Sequence, residues 1–242
     1  MNLEKLPDHL KIVDTGDGSP SMEISYSTVS EWMHSSHGAF EESKYIYLHG
    51  LEKAHAMNLE LKILSVGLGL GYNEILSAGF GLQHDIKVEM NSFESEPFLV
   101  GSFRAWCEGE LSKDSPLFMV YEKIFRLTVV EMKLEAQSLR QRLHALSSQQ
   151  KIRHWGTLKP KGPFVPNQTL IHFDPFSSKA SPDFWTESFI ADFLKSSCAD
   201  QCVLSTYAAT GNLKRMLIKR NFEVDLRPGF AAKRNSIFAH RY

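Results

Sequence analysis

The residues that could do chemistry are centred on Asp174. An apolar run from Thr169 to Phe173 ends on this carboxylate, and Pro175 follows at once. A strand that stops in this way leaves the aspartate at its carboxyl end, where open α/β sheets bind ligands. The pattern predicts that Asp174 lies at the edge of an active site.

A glycine-rich turn upstream supplies a candidate cofactor site. The short apolar run Leu61–Val66 is followed by Gly67, Gly69 and Gly71, and then by a helical pattern that begins at Tyr72. Strand, glycine turn and helix form the nucleotide-binding start of a doubly wound fold. The dinucleotide fingerprint G-x-G-x-x-G would need a glycine where Tyr72 stands. The spacing therefore argues against a dehydrogenase and favours S-adenosylmethionine, which has no pyrophosphate to hold.

An acidic residue stands at the expected distance from this turn. A second strand, predicted over 86–93, ends at Glu94. In nucleotide-binding folds an acid about 20 residues past the turn accepts hydrogen bonds from ribose hydroxyls. We therefore expect Glu94 to bind the ribose of the cofactor.

Composition limits the class of protein. The 242 residues suffice for one α/β domain, and 43% apolar with 23% charged residues is ordinary for a globular protein. No apolar run could span a membrane, and the N-terminus lacks a signal-peptide core. The three cysteines form no paired or zinc-binding pattern. These observations predict a cytoplasmic protein with no membrane segment and no metal site.

The basic residues are unevenly distributed. The net charge of −1 argues against a generic polyanion binder, yet residues 211–242 hold eight basic and two acidic side chains. Such a local basic face fits a modest, salt-sensitive contact with RNA, and it equally fits solvated surface charges. Candidates for binding an anionic substrate are Lys214, Arg215, Lys233 and Arg234.

The order of predicted elements indicates the fold. Residues 1–58 are predicted to form a small N-terminal extension, and residues 59–242 one compact domain. In this domain strands alternate with helices, which predicts a mostly parallel sheet. Two final strands without an intervening helix predict an antiparallel hairpin at one edge. Residues 117–150 carry apolar residues near a period of 3.6, which predicts one long surface helix.

Several motifs taken together resemble the MnmC-like methyltransferases. In chain order, the matching motifs are Glu31-x-Met33-His34-Ser35 with Gly38-Ala39 and Glu42-Ser43, Gly67-x-Gly69-x-Gly71-x-Asn73, Phe93-Glu94-x-x-Pro97, Asp174-Pro175-Phe176-Ser177 with Pro182-x-x-Trp185-Thr186, Tyr207 with Gly211-x-x-Lys214-Arg215, and Gly229-Phe230-x-x-Lys233-Arg234. The block from Asp174 to Thr186 is fairly specific, whereas the glycine motif is shared by many methyltransferases. The resemblance covers most of the chain and is weakest over 110–155.

The resemblance implies a fold and an activity. The fold would be a Rossmann-like class I methyltransferase, α/β, with a small N-terminal addition. The activity would be S-adenosylmethionine-dependent methylation of an aminomethyl group on the wobble uridine of tRNA. Asp174, at the family's acidic position, would be the catalytic residue that holds the amine and accepts its proton. Bifunctional members also carry a C-terminal flavin oxidase domain. Because this chain stops at Tyr242, we expect no such domain in it and a separate oxidase partner.

Two positions depart from the family pattern. The family has an acid two residues before the first glycine, where this chain has Ser65, and another acid where this chain has Thr157. Both hydroxyls can still hydrogen-bond, so we expect Ser65, Thr157 and Asn73 of the glycine motif to contact the cofactor. His34 and Glu42 match the N-terminal motif without an assigned role.

The sequence is compatible with three functions. The first is a tRNA-modifying methyltransferase, and the second is a methyltransferase of another RNA or of a small molecule. The third is a non-catalytic binding protein on a diverged methyltransferase fold, which the serine and threonine substitutions favour.

Overall fold

A small antiparallel sheet opens the chain. The computed structural model describes residues 3–25, 29–232 and 235–242. Its first strands are β1 (Leu10–Asp14), β2 (Pro20–Ser25) and β3 (Ser30–Trp32), in the spatial order β1-β2-β3. Each pairs antiparallel with its neighbour.

A helical segment connects this sheet to the rest of the fold. It consists of α1 (Ala39–Ser43), a π-helical turn (Lys44–Leu48) and α2 (His49–Ala56). Helix α2 contacts three strands of the central sheet. The N-terminal segment thus shares its packing with the larger sheet, and a domain boundary at residue 58 stays a prediction.

Seven strands form the central sheet: β4 (Leu61–Val66), β5 (Val88–Phe93), β6 (Ile152–His154), β7 (Gln168–Phe173), β8 (Cys198–Thr206), β9 (Glu223–Arg227) and β10 (Ser236–Arg241). The helices between them are α3 (Tyr72–Gln83), α4 (Pro97–Glu108), α5 (Phe118–Glu131), α6 (Ala136–Ser148), α7 (Glu187–Ser197) and α8 (Gly211–Lys219). Short 3₁₀ turns cover Pro182–Trp185 and Phe230–Ala232.

The strand order places the ligand site. Across the sheet it is β6-β5-β4-β7-β8-β10-β9. Strands β6, β5, β4, β7 and β8 pair in parallel, while β10 pairs antiparallel with both β8 and β9. The predicted fold class, including the antiparallel C-terminal hairpin, is confirmed. Strand order reverses between β4 and β7, and ligands bind such sheets at the carboxyl ends of the strands beside this reversal.

Both faces of the sheet are covered by apolar side chains. On β4, Ile63 belongs to a core shared with α2 to α6, whereas Leu64 and Val66 belong to a second core shared with α7 and α8. A strand buried on both faces has no polar side, which explains its near-continuous apolar sequence. No helix in the described residues is long and apolar enough to cross a membrane.

The prediction of one long helix over 117–150 was wrong. The chain forms α5 and α6, separated by a turn in which Lys133 has φ +52°. Buried residues lie on both helices, including Tyr121, Ile124, Leu139 and Leu143. Two shorter helices can each turn an apolar face to the core, which a single straight helix on the surface could not do.

Candidate active site

A cavity of about 200 Å³ lies at the carboxyl ends of β4, β5 and β7. Its walls also include β3 and the helical segment around the π-helical turn. Six residues predicted from the sequence to form the site line it: Gly67, Gly69, Asn73, Glu94, Thr157 and Asp174. The topology therefore brings most of the predicted cofactor residues and Asp174 to one place.

The glycine turn and Asp174 are in direct contact. Gly67 has φ +102°, and a Cβ atom added there would lie 2.8 Å from the carbonyl oxygen of Asp174. The backbone N–H of Asp174 donates to the carbonyl of Val66 at 3.0 Å. Glycine is required at this position because both the backbone angle and the approach of the neighbouring strand exclude a side chain. Contact between the turn and Asp174, on which the sequence-based hypothesis depends, is present.

A second glycine of the turn, Gly71, supports a stability prediction. Gly71 begins α3 with φ +74°, and a Cβ atom there would lie 2.4 Å from the buried ring of Phe103. We expect Gly71→Ala to lower the free energy of unfolding by about 1–2 kcal/mol through backbone strain and by about 1–3 kcal/mol more through overpacking. Urea unfolding monitored by circular dichroism measures the sum of the two losses.

Gly109 offers a matched control for this prediction. It has φ +76°, but a Cβ atom there would meet no other atom within 4 Å. Gly109→Ala should therefore show the backbone cost alone. Equal losses in the two variants would mean that Phe103 moves aside without cost and that the turn is not tightly packed.

Glu94 holds the glycine turn in place through a hydrogen bond with its backbone. Its Oε2 accepts a hydrogen bond from the backbone N–H of Gly69 at 2.9 Å, and its Oε1 accepts one from Glu96 at 2.9 Å. Burial raises the pKa of this carboxyl, against the lowering effect of these backbone hydrogen bonds. A carboxylate has about four acceptor positions, so Glu94 retains capacity for ribose hydroxyls.

Thr157 reaches the cavity because β6 continues to pair with β5 past its own end. Trp155 donates its backbone N–H to Ser92 at 2.9 Å, and Glu94 donates to the carbonyl of Gly156 at 3.0 Å. These bonds hold the next residue, Thr157, on the cavity wall beside Glu94. Its role in cofactor binding stays a prediction.

Ser65 lies beneath the turn rather than on the cavity wall. It is buried beside Glu74, a fully buried acid of α3 whose Oε1 accepts a hydrogen bond from Ser92 at 2.6 Å. Burial raises the pKa of Glu74 to about 7, while hydrogen bonding from Ser92 and Ser65 acts in the opposite direction. Ser65 thus supports the floor of the site, and a direct cofactor contact by it stays a prediction.

Asn73 is the remaining polar group on the cofactor side. It is 5% exposed and lines the cavity, and its Oδ1 has no hydrogen-bond partner in the described structure. Buried polar atoms in proteins are nearly always paired. An unpaired acceptor facing a cradle of glycines fits a ligand that brings donors, as the ribose and amino groups of S-adenosylmethionine would.

The loop that carries Asp174 is held from three sides. Glu31 of β3 accepts hydrogen bonds from the N–H of Ser177 at 3.0 Å and from its hydroxyl at 2.9 Å. Tyr207 donates to the carbonyl of Pro175 and Trp185 to that of Phe176, both at 2.9 Å. The N-terminal sheet thus helps to define the site through Glu31.

The cavity is strongly acidic. Glu31, Glu42, Glu94 and Asp174 line it, and the described lining residues include no lysine or arginine. Burial raises the pKa of Tyr207, and the negative charge of Asp174 raises it further. Clustered carboxylates in a partly desolvated site favour a cationic ligand.

His34 and Glu42 connect the N-terminal segment to the cavity. Glu42 is buried and accepts a hydrogen bond from the backbone N–H of Ser35 at 2.5 Å. The ring of His34 lies 2.9 Å from the Ser21 hydroxyl and packs edge-on against Tyr72 at 4.7 Å. Both residues line the cavity. These contacts show that both residues help to hold the N-terminal segment against the cavity, a role that the sequence did not reveal.

The predicted substrate-binding cations lie elsewhere. Lys214 and Arg215 belong to α8, outside the cavity wall, and Arg215 pairs with Glu187 at 2.8 Å. Lys233 and Arg234 fall outside the described residues. A contact of these four residues with a substrate stays a prediction. Among the described residues, no group of three or more potential metal ligands is close enough to hold a metal ion.

Sequence reasoning missed Tyr47 as a site residue and gave no role to Glu31 or Tyr207. All three line the cavity. Glu31 and Tyr207 stand in the motifs shared with MnmC-like proteins, so the resemblance contained a signal for them. Tyr47 had none, because it lies in a mixed aromatic run whose helical geometry is not visible in the sequence.

Comparisons with known proteins agree with this geometry. A family model described as S-adenosyl-L-methionine-dependent methyltransferase matches residues 121–242, half of the chain. A stretch of 62 residues is 37% identical to the tRNA 5-methylaminomethyl-2-thiouridine biosynthesis bifunctional protein MnmC of Hahella chejuensis, and it covers 26% of this chain and 10% of that protein. The chain therefore matches only a small part of that curated relative.

A solved structure shares the fold. The crystal structure of MnmC2 from Aquifex aeolicus matches with a TM-score of 0.62 and 24% identity, over 95% of this chain and 70% of that one. The resemblance to MnmC-like methyltransferases predicted from the motifs is confirmed. The family match covers β7, Asp174 and the C-terminal hairpin, and the glycine turn beside Asp174 completes the cofactor-binding half of the same fold. This chain belongs to the family of S-adenosyl-L-methionine-dependent methyltransferases.

Proposed function

We propose that this enzyme methylates an aminomethyl group on the wobble uridine of tRNA. The observation that carries the proposal is the acidic wall formed by Asp174, Glu31 and Glu42, directly beside the glycine turn. An alkylamine is cationic in neutral solution, so such a wall attracts it to the methyl donor. The name of the Hahella relative points to the same substrate class.

The cofactor side of the cavity fits S-adenosylmethionine. The glycine turn leaves room for a ligand against the backbone, Glu94 can accept from ribose hydroxyls, and Asn73 offers an unpaired acceptor. When bound, S-adenosylmethionine supplies an electrophilic methyl group on a positively charged sulfur. The residues of the turn hold the donor in place, and much of the rate enhancement comes from this positioning.

Asp174 prepares the acceptor. The amine arrives protonated and passes one proton to the Asp174 carboxylate, which releases it to solvent before the nitrogen lone pair attacks. The nitrogen lone pair then forms the new N–C bond while the C–S bond breaks and its electrons stay on sulfur. The product nitrogen carries an extra proton, which the Asp174 carboxylate accepts and passes to solvent.

A direct test uses defined substrates. Purified protein is incubated with S-adenosylmethionine and either tRNA bearing 5-aminomethyluridine at the wobble position or the same tRNA with unmodified uridine. Nucleoside mass spectrometry should find one added methyl group on the first substrate alone. Methylation of both substrates, or of neither, would contradict the proposed acceptor. Turnover of the free nucleoside at the same efficiency as tRNA would indicate a small-molecule enzyme instead.

Two accompanying features belong to this proposal. An oxidase partner supplies the free aminomethyl group; the Hahella relative is named as bifunctional and so combines two activities. The enzyme acts in the cytoplasm, where its tRNA substrate is found.

A further inference from the structure

One hydroxyl in the cavity wall lacks a well-formed hydrogen bond. Tyr47 is 3% exposed and lines the cavity, and the group with which its hydroxyl interacts most strongly among the described residues is the Asp174 carboxylate. The other two buried tyrosines that the structure describes are both paired. Tyr72 donates to the carbonyl of Pro20 at 2.6 Å, and Tyr121 to that of Leu99 at 3.5 Å. A buried hydroxyl without a well-formed hydrogen bond is costly and rare, and the Tyr47 oxygen is free to accept one from a ligand bound beside Asp174.

Tyr47 owes its position to the π-helical turn between α1 and α2. A π-helical turn inserts a residue into the helical register and so re-aims the side chains that follow, and such turns occur frequently at functional sites. The Tyr47 ring packs edge-on against His172 at 5.1 Å. Burial lowers the pKa of His172 to about 3, so this neighbour is neutral and acts as a packing surface. The ring is therefore fixed where it meets the cavity.

The surroundings decide which chemistry the hydroxyl can perform. Burial raises the pKa of Tyr47 well above its ordinary value. The charge of the Asp174 carboxylate and its hydrogen bonding with the hydroxyl raise it further, and the charge of Glu42 acts in the same direction. The side chain therefore remains a neutral phenol throughout the physiological range. A neutral phenol cannot act as a base, but it can donate one hydrogen bond and accept another.

We propose that Tyr47 binds the acceptor amine together with Asp174, its hydroxyl oxygen accepting a hydrogen bond from one N–H of the amine. This inference rests on the proposed amine substrate. A neutral primary amine has two N–H groups and one lone pair. When Asp174 takes one N–H and Tyr47 the other, the lone pair is left to point toward the methyl donor over the glycine turn. The two residues thus set the direction of attack.

The arrangement also predicts selectivity between amines. A primary ammonium group has three N–H donors, enough for both residues, whereas a dimethylated ammonium group has only one. Tyr47 should therefore favour the unmethylated substrate over more highly methylated amines. That preference limits repeated methylation of the same nitrogen.

The test compares two ligands on two proteins. Enzyme saturated with S-adenosylhomocysteine is titrated with 5-aminomethyluridine and with 5-dimethylaminomethyluridine nucleosides, and binding is followed by NMR. The wild-type protein should bind the primary amine about tenfold or more tightly than the dimethylated amine, as expected for an added charge-assisted hydrogen bond. Tyr47→Phe should reduce this ratio severalfold, mainly by weakening the primary amine.

The ratio separates a specific role from general damage, because a variant that merely perturbs the cavity weakens both ligands alike. Tyr45→Phe is the matched control, since Tyr45 lies in the same π-helical turn but outside the cavity wall, and its hydroxyl donates to the Pro228 carbonyl at 2.8 Å; its loss should leave the ratio unchanged. An unchanged ratio in Tyr47→Phe, or no amine binding by the wild-type protein, would overturn the inference. Failure of the tRNA assay alone would count against the proposed function and leave this result standing.

Discussion

Asp174→Asn should lower the turnover number for methyl transfer by about 100-fold or more, the usual range for losing a positioned acid–base group. Asparagine keeps the size of the side chain and can still accept a hydrogen bond, but it cannot take up the proton that the amine must lose. It also removes one negative charge from the acidic wall, so the Michaelis constant for the amine substrate should rise. Affinity for S-adenosylmethionine should change little, since Asp174 meets the turn through its backbone.

The measurements are initial rates with modified tRNA and calorimetric titration of the cofactor. Asp183→Asn is the matched control. Asp183 is an exposed acid at the far end of the same loop, outside the cavity wall. That variant should keep wild-type rates. Unchanged turnover in Asp174→Asn would remove this carboxylate from the mechanism, and a parallel loss of cofactor affinity would reassign it to the cofactor side.

Glu94→Ala should raise the dissociation constant for S-adenosylmethionine by about 10- to 100-fold, the range expected for losing hydrogen bonds to a charged group. Two effects contribute. The ribose hydroxyls lose their acceptor, and the N–H of Gly69 loses the partner that holds the turn.

Glu94→Gln separates these two effects, because its amide oxygen can still accept from Gly69 while the charge is lost. It should show an intermediate dissociation constant.

The pH dependence of cofactor binding gives a second readout for Glu94. Burial raises the pKa of this carboxyl, so it becomes protonated at a higher pH than an exposed glutamate. A protonated carboxyl is a poorer acceptor, and affinity should therefore fall as the pH falls through this raised pKa. Both Glu94 variants should lack that acidic decline.

Glu89→Ala is the control for the Glu94 variants. Glu89 lies in β5, the strand that Glu94 directly follows. It pairs with Lys151 and is outside the cavity wall. Its removal should leave the dissociation constant unchanged at every pH. Equal binding of S-adenosylmethionine by wild-type protein and Glu94→Ala would end the proposed ribose contact.

Local patterns in the sequence were sufficient for the cofactor half of the site. A run of apolar residues, a glycine turn and an acid at a set distance all depend on neighbours in the chain. They led to β4, to the turn and to Glu94, and the structure places these together. Asp174 was found in the same way, because a carboxylate that ends an apolar strand is visible without knowing the strand's partners.

The same reasoning failed where packing between distant segments decides the outcome. The apolar period over 117–150 continues through the turn at Lys133, so it could not reveal that the segment folds back as two helices. Lys214 and Arg215 stand in a motif, but the motif does not show that Arg215 pairs with Glu187 and that both basic residues lie outside the cavity wall; their contact with a substrate stays a prediction.

The sequence by itself determined the fold class, the cofactor and the position of Asp174. The fold class follows from the order of elements along the chain, and the other two follow from the pattern within a single strand and the turn after it. Only the tertiary structure decided what faces Asp174. Glu31 accepts a hydrogen bond from Ser177, which is 146 positions away in the chain. Tyr47 lines the cavity because of a π-helical turn, and no residue pattern in the sequence predicts that turn. Residues that meet only after the sheet is assembled leave no local period in the sequence. The side of the cavity around Asp174 consists largely of such residues.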